Sequence, residues 1–334
     1  MHYWDQHDVT NTSHAQGIQP ARDAERSARM IDHEYGSHDP HRQSDYGDRV
    51  VESALTQSDL DPANISAYAP IGVFDSGVGG LTILQALQQE LPQEHFIYVA
   101  DTAHCPYGVR SDDEITELSI QASHWLIERG VKLIVVACNT ASQAALSTLR
   151  ATFSVPFVGV VPAVKPAARA TKRGRIGVAA TNNAVKAAYL RQLIDDFAEG
   201  IQVYAVGCPE LVTLVERGEL DGPAVEEQLQ RSLQPLLSKE IDVLILGCTH
   251  FPALRPMIEQ VVGKRVKVMD SGAAIARRTY SVLEAEGLMH PFDAAYASIA
   301  EPQLWCTGEV STFSEVASKV LGRCVVANHG RCHP

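Results

Sequence analysis

From Ile71 onward the sequence alternates short, largely apolar runs with longer amphipathic stretches, and this alternation restricts the fold more than any other feature. The runs are IGVFD (71–75), FIYVA (96–100), KLIVVAC (132–138), FVGVV (157–161), RIGVAA (175–180), VYAV (203–206), VLILGC (243–248) and VKVM (266–269). Rich in β-branched residues and apolar apart from single charged residues, mostly at their ends, they have the composition of strands covered on both faces. Between them, 112–129, 184–197, 224–239 and 273–286 read as helices. Strands that alternate with helices predict an α/β fold with mostly parallel sheets flanked by helices.

The first 68 residues have a different texture. They hold 12 acidic side chains, five Arg and no Lys, but only eight Ile, Leu, Val or Phe. So little apolar surface does not offset the entropy of ordering the segment, and 1–68 is expected to be a disordered acidic extension, with at most a short helix over 23–31. Its six His (His2, His7, His14, His33, His38 and His41) are irregularly spaced and read as solvated rather than metal-binding. The whole chain of 334 residues carries a net charge of −12, which argues against a nucleic-acid surface. No apolar run reaches the length of a membrane span, and no secretory signal is visible. The seven Cys include no C-x-x-C pair, so they read as reduced thiols in a cytoplasmic protein.

Two internal echoes narrow the chemistry. VVACNTAS (135–142) and LILGCTHFP (244–252) each put a Cys directly after an apolar strand, and the two cysteines are 110 residues apart. FDSGVGG (74–80) and MDSGAAI (269–275) each put Asp-Ser-Gly between a strand and a helix. Two matched pairs suggest two related α/β halves, each presenting a Cys at the strand edge where open α/β sheets bind ligands. A thiol at a strand end leading into a helix feels the helix dipole and backbone N–H groups, both of which favour thiolate. One nucleophile suffices for acyl transfer, and the scattered Cys and His do not match a structural zinc pattern. Two thiols facing one carbon from opposite sides could invert a stereocentre, one removing a proton while the other supplies one. Asp75 could equally cap a tight turn, bind an ammonium or orient a base, and the glycines after it could bring N–H groups to an anion.

The stretches FDSGVGGLTIL (74–84), YVADTAHCPYG (98–108), VVACNTAS (135–142), GVVPAVKPAA (159–168), LGCTHFP (246–252) and DSGAAIARRT (270–279) resemble the bacterial glutamate racemases, within the cofactor-independent aspartate/glutamate racemase superfamily. The resemblance spans nearly all of 71–290 and implies two pseudo-symmetric α/β domains with the active site in the interdomain cleft. On that basis one domain combines 69–161 with 272–334, and the other is 162–271. The implied activity is interconversion of L- and D-glutamate for peptidoglycan synthesis, without pyridoxal phosphate or metal. Cys138 would be the base for D-glutamate and Cys248 the base for L-glutamate, assisted by Asp75 and His250 respectively, with Glu216 behind the second thiol. Asp75, Ser76, Tyr107, Gly108, Asn139, Thr140, Thr249 and His250 match substrate-contact positions.

The basic segment 162–173 resembles a hinge that binds an activator, UDP-N-acetylmuramoyl-L-alanine, through residues such as Lys165 and Arg169. Cys105 is read as packing, and Cys208, Cys306, Cys324 and Cys332 as structural. Asp270-Ser271-Gly272 is assigned no catalysis. The rival readings are an aspartate or broad acidic amino-acid racemase, and a non-enzymatic two-domain binding protein. Monomer and homodimer both remain open.

Overall fold

The computed structural model describes residues 66–291 and 301–332. The expected extension therefore falls outside the described residues up to position 65, as does its short helix. In chain order the elements are β1 (Ile71–Asp75), α1 (Leu81–Glu90), β2 (Phe96–Ala100), α2 (Asp112–Ile127), β3 (Leu133–Val136), α3 (Asn139–Thr152), β4 (Phe157–Gly159) and α4 (Val164–Ala170). There follow β5 (Arg175–Ala180), α5 (Asn182–Lys186), α6 (Ala188–Phe197), β6 (Gln202–Gly207), α7 (Pro209–Glu216), α8 (Pro223–Leu237), β7 (Val243–Leu246), α9 (Arg255–Val262) and β8 (Lys267–Met269). The described chain closes with α10 (Gly272–Ala285), β9 (Gln303–Cys306), α11 (Val310–Leu321) and β10 (Asn328–His329).

The strands form two sheets, ordered β10-β9-β2-β1-β3-β4 and β6-β5-β7-β8, and every pairing is parallel. The parallel α/β architecture expected from the alternation is therefore present. In β1, β2, β3 and β7, buried throughout, the apolar runs are explained by side chains alternating between two covered faces, whereas the edge strands β6 and β8 are partly exposed and are not covered on both faces as expected. Ile71, Val73, Leu133 and Val135 pack on one face with Leu84 and Leu87 of α1. Phe74, Ile134 and Val136 pack on the other with Leu126 of α2 and Ala145 of α3.

Both sheets contain the same topological unit. The order β2-β1-β3-β4 becomes β6-β5-β7-β8 when each strand is advanced by four. Cys138 lies two residues beyond β3 and Cys248 two beyond β7, so the cysteine echo marks equivalent positions. The Asp-Ser-Gly echo does not. Asp75 ends β1, whose counterpart is β5, whereas Asp270 follows β8, whose counterpart is β4. The two motifs match because they make the same local turn: Gly77 N donates to Asp75 Oδ1 at 2.9 Å, and Gly272 N donates to Asp270 Oδ1 at 2.8 Å.

Three further features differ from the sequence expectation. The helix expected over 184–197 breaks at Ala187, whose backbone is extended (φ −61°, ψ 139°). Ahead of the break, Asn183 Nδ2 donates to the Arg110 carbonyl at 2.7 Å, tying α5 to a loop of the other sheet. Strands β9 and β10 join the first sheet through pairing with β2, a long-range contact that four and two residues do not announce on their own. Residues 66–68 are built into the fold: Lys132 is fully buried, pairs with Glu94 at 2.5 Å, and donates from Nζ to the Ala67 carbonyl at 2.6 Å.

Candidate active site

The site assembles at the carboxyl ends of the strands. Adjacent strands β1 and β3 deliver Asp75 and Cys138, and β7 delivers Cys248. Between β1 and β3 the chain order reverses, which is where open α/β sheets leave a crevice. Segments from the two sheets meet here directly. Thr249 Oγ1 donates to Asp75 Oδ2 at 3.0 Å, and Val78 N donates to Glu216 Oε1 at 2.9 Å. Asp75, Ser76, Asn139, Thr140, Thr249, His250 and both cysteines are buried.

Around the first thiol, Cys138 caps α3 and accepts from Ala141 N at 3.5 Å, while Ser76 Oγ lies 3.7 Å from its sulfur. The helix start was expected to favour thiolate. Burial instead pushes the Cys138 thiol up to about 12, with the negative charge of Asp75 adding to the rise and the cap bond opposing it. One weak N–H···S bond does not replace the water a thiolate would lose. Cys248 also contributes to the rise, so the two thiols lie within electrostatic reach of each other. Burial raises the Asp75 carboxyl to about 6 against the opposing influence of His250 and its hydrogen bonds from Gly77 and Thr249. That value leaves Asp75 able to hold or release a proton near neutrality.

Around the second thiol three side chains stand in line. Cys248 Sγ lies 3.6 Å from His250 Nδ1, and His250 Nε2 lies 2.5 Å from Glu216 Oε1. Burial opposes protonation of His250, but the neighbouring Cys105, Cys248 and Glu216 outweigh that and hold it well above the usual imidazole range. Burial likewise opposes ionisation of Glu216, and the His250 partner overrides it, keeping the carboxyl below its ordinary value. The glycines of 77–80 are explained by this packing. A Cβ on Gly77 would lie 1.9 Å from Glu216 Oε1, and one on Gly79 would lie 2.5 Å from His250 Nδ1. The loop accepts the relay against its bare backbone, so the anion its amides meet includes a protein carboxylate.

The remaining candidates divide. Asn139 Oδ1 is buried without a hydrogen-bond partner among the described residues, and Asn139 lines a cavity of about 650 Å³ together with Cys248 and Thr249. Thr140 Oγ1 meets Thr181 Oγ1 at 3.2 Å. The Tyr107 hydroxyl is committed to Asp101 Oδ2 at 2.7 Å, and Gly108 packs against Thr181. Lys165 and Arg169 do not join the thiols; with Lys267 they line a separate pocket of about 480 Å³.

Three contributors escaped the sequence reading. Cys105 does more than pack: its sulfur lies within 4.8 Å of donor atoms of both His250 and Glu216. Tyr98 donates to the Gly77 carbonyl at 2.5 Å and so pins the glycine loop. Thr181 caps α5 and reaches Thr140. A polar Tyr within an otherwise apolar strand was the one available signal for Tyr98.

Residues 79–279 match the family described as Asp/Glu/Hydantoin racemase. The chain belongs to the Asp/Glu/hydantoin racemase family. As a member of this racemase family it is an isomerase, as the motif resemblance implied. A glutamate racemase from Herpetosiphon aurantiacus is 49% identical over 222 residues, covering 66% of this chain and 87% of that protein. One from Deinococcus radiodurans is 47% identical over 248 residues, covering 72% and 85%. Among solved structures, a glutamate racemase isoform from Bacillus anthracis superposes with a TM-score of 0.70 at 33% identity, covering 79% of this chain and 98% of that one. The Escherichia coli glutamate racemase, solved with L-glutamate and the activator UDP-MurNAc-ala, superposes with a TM-score of 0.68 at 38% identity, covering 78% and 97%. The racemase fold expected for the chain is thus the one its relatives adopt.

Proposed function

We propose that this racemase interconverts L- and D-glutamate by two-base proton transfer, with Cys138 the base for D-glutamate and Cys248 the base for L-glutamate. The observation that carries the reading is two buried thiols at equivalent strand ends, each with its own proton-handling neighbours. Asp75 and Ser76 serve Cys138, and His250 with Glu216 serves Cys248. In each direction one sulfur takes the α-proton as the other, a thiol, delivers its proton to the opposite face. The raised Cys138 thiol is then well suited as the acid, and the substrate's ammonium would offset the Asp75 charge that disfavours thiolate.

Hydrogen-bond donors at Asn139, Thr140 and Thr249 are suited to the substrate carboxylate, where carbanion charge accumulates. The unpartnered Asn139 Oδ1 suits an ammonium. The Tyr107 and Gly108 segment shapes the wall. Neither pyridoxal phosphate nor metal is needed by this chemistry.

The division into domains 69–161 plus 272–334 and 162–271 belongs to the same reading, with glutamate in the cleft between them. So do supply of D-glutamate for peptidoglycan and a cytoplasmic location; among the described residues, no helix is long and apolar enough to cross a membrane. The pocket lined by Lys165, Arg169 and Lys267 carries the positive charge to receive UDP-N-acetylmuramoyl-L-alanine as activator. Loss of the nucleotide response in Lys165→Ala/Arg169→Ala, with nucleotide-free turnover intact, is the expected outcome, and an undiminished response would remove this site. The catalytic assignment is tested by Cys138→Ala and Cys248→Ala. Each is expected to lower kcat by at least about 10²-fold, the usual worth of a general acid or base. Near-normal racemisation by either variant would refute it.

A further inference from the structure

Cys105, Glu216 and His250 form a cluster beside the second thiol that proton transfer does not fully explain. One donor atom from each, the sulfur, a carboxylate oxygen and a ring nitrogen, lies within 4.8 Å of the other two. The donors come from three separate segments: the loop after β2, the end of α7 and the turn after β7. His250 is buried, Cys105 is half-buried, and the Glu216 side chain is 22% exposed, which leaves a route for an ion from solvent.

We propose that Cys105, Glu216 and His250 form an inhibitory site for a thiophilic divalent cation, zinc above all. Thiolate, imidazole and carboxylate together are a zinc donor set, and three protein ligands leave a fourth position open. The sulfur selects against magnesium and calcium, which prefer oxygen. Zinc distances of about 2.0–2.2 Å to nitrogen and oxygen put two such ligands roughly 3.4 Å apart in a tetrahedral arrangement. The 2.5 Å contact between His250 Nε2 and Glu216 Oε1 therefore has to open by about 1 Å, and Glu216 is the member with solvent beside it. The cation takes the place of the proton held between those two atoms and of the Cys105 thiol proton; both protons pass to solvent. Nε2 is then committed to the metal while Nδ1 still faces Cys248, so the relay from Cys248 through His250 to Glu216 is cut between its second and third members.

The inhibition rests on the racemase reading above; occupancy of the site does not. The test titrates cobalt(II) into the full chain, stripped of metal and kept reduced with a phosphine, and follows the thiolate-to-cobalt charge-transfer absorption. One equivalent is expected to develop the band, zinc to displace it, and zinc to arrest racemisation until a chelator is added. In Cys105→Ala the band is expected to vanish and half-inhibition to need at least about tenfold more zinc. Cys105→Ser gives the same readout should the alanine variant fail to fold. Cys208→Ala, whose thiol faces the Val206 and Ser232 carbonyls, is expected to keep the band. No band in the unaltered chain, or an undiminished band in both Cys105 variants, would overturn the proposal. A cobalt band in a chain that does not racemise glutamate would sink the functional reading and leave the metal site standing.

Discussion

Replacing Asp75 by Asn is expected to disable turnover and, at the same time, to stabilise the fold at neutral pH. The carboxyl is fully buried, and burial lifts it from 3.8 to about 6. Between those values the folded chain holds a proton that the unfolded chain has released, so stability falls as pH rises. The slope approaches about 1.4 kcal/mol per pH unit. Over the window about 3 kcal/mol of stability is lost: the contribution is present in full below pH 3.8 and gone above pH 6.

Asn keeps the shape and removes the charge. Its oxygen can still accept from Gly77 N, and its amide can donate to Thr249 Oγ1, which now donates to Asp75 Oδ2 at 3.0 Å. The expected result is a variant about 3 kcal/mol more stable than the parent at pH 7.5 and nearly equal to it at pH 4, with kcat reduced about 10²-fold or more. Urea denaturation of both chains at the two pH values measures this. A variant less stable than the parent at pH 7.5, or a difference that does not change with pH, would refute the argument that Asp75 is a strained charge kept for catalysis.

Three other perturbations follow from the same geometry. Gly79→Ala puts a methyl 2.5 Å from His250 Nδ1 and displaces the imidazole from Cys248; steady-state assay is expected to show kcat down about 10²-fold, and normal turnover would mean the loop yields instead. Glu216→Gln weakens a charge-assisted bond of about 1.5–3 kcal/mol, so kcat/KM is expected to fall ten- to hundredfold. Because racemisation has an equilibrium constant of one, that fall must be equal for both enantiomers, and unequal values would point to an assay fault or a side reaction. Removing residues 1–68 takes the Ala67 carbonyl from buried Lys132 and is expected to cost about 1–3 kcal/mol in urea unfolding relative to removing 1–65; equal stabilities would show that the contact contributes nothing.

The alternation of apolar runs and amphipathic stretches was enough to read the parallel α/β architecture, because strands covered on both faces carry few polar side chains. β1, β2 and β5 fall where the sequence puts them, and the cysteine echo identified equivalent strands in two sheets. The Asp-Ser-Gly echo misled for a physical reason: the same Asp-capped turn recurs wherever a strand hands over to a helix, whatever the strand's place in the sheet. The roles of Cys105, Tyr98 and Thr181 are not legible in the sequence, because each acts through a partner far away along the chain. The glycines at 77 and 79 were read as an opening for an anion from outside, when the groups pressed against them are Glu216 and His250 of this chain. Local pattern reports the element; it does not report what arrives from the other sheet. The depressed thiolate character of Cys138 shows the same limit, since a helix start is legible in sequence and the burial that outweighs it is not.

Whether two thiols on opposite faces of one carbon exchange its proton is decided by proton NMR of L- and of D-glutamate with the reduced chain in D₂O, run with optical rotation and an L-aspartate control. The α-proton signal of either glutamate enantiomer is expected to disappear as rotation falls to zero, aspartate to be untouched, and Cys138→Ala and Cys248→Ala each to abolish racemisation. Full racemisation by a chain lacking either sulfur, or no exchange by the unaltered chain even with the UDP-muramoyl-alanine nucleotide present, would contradict two-thiol exchange.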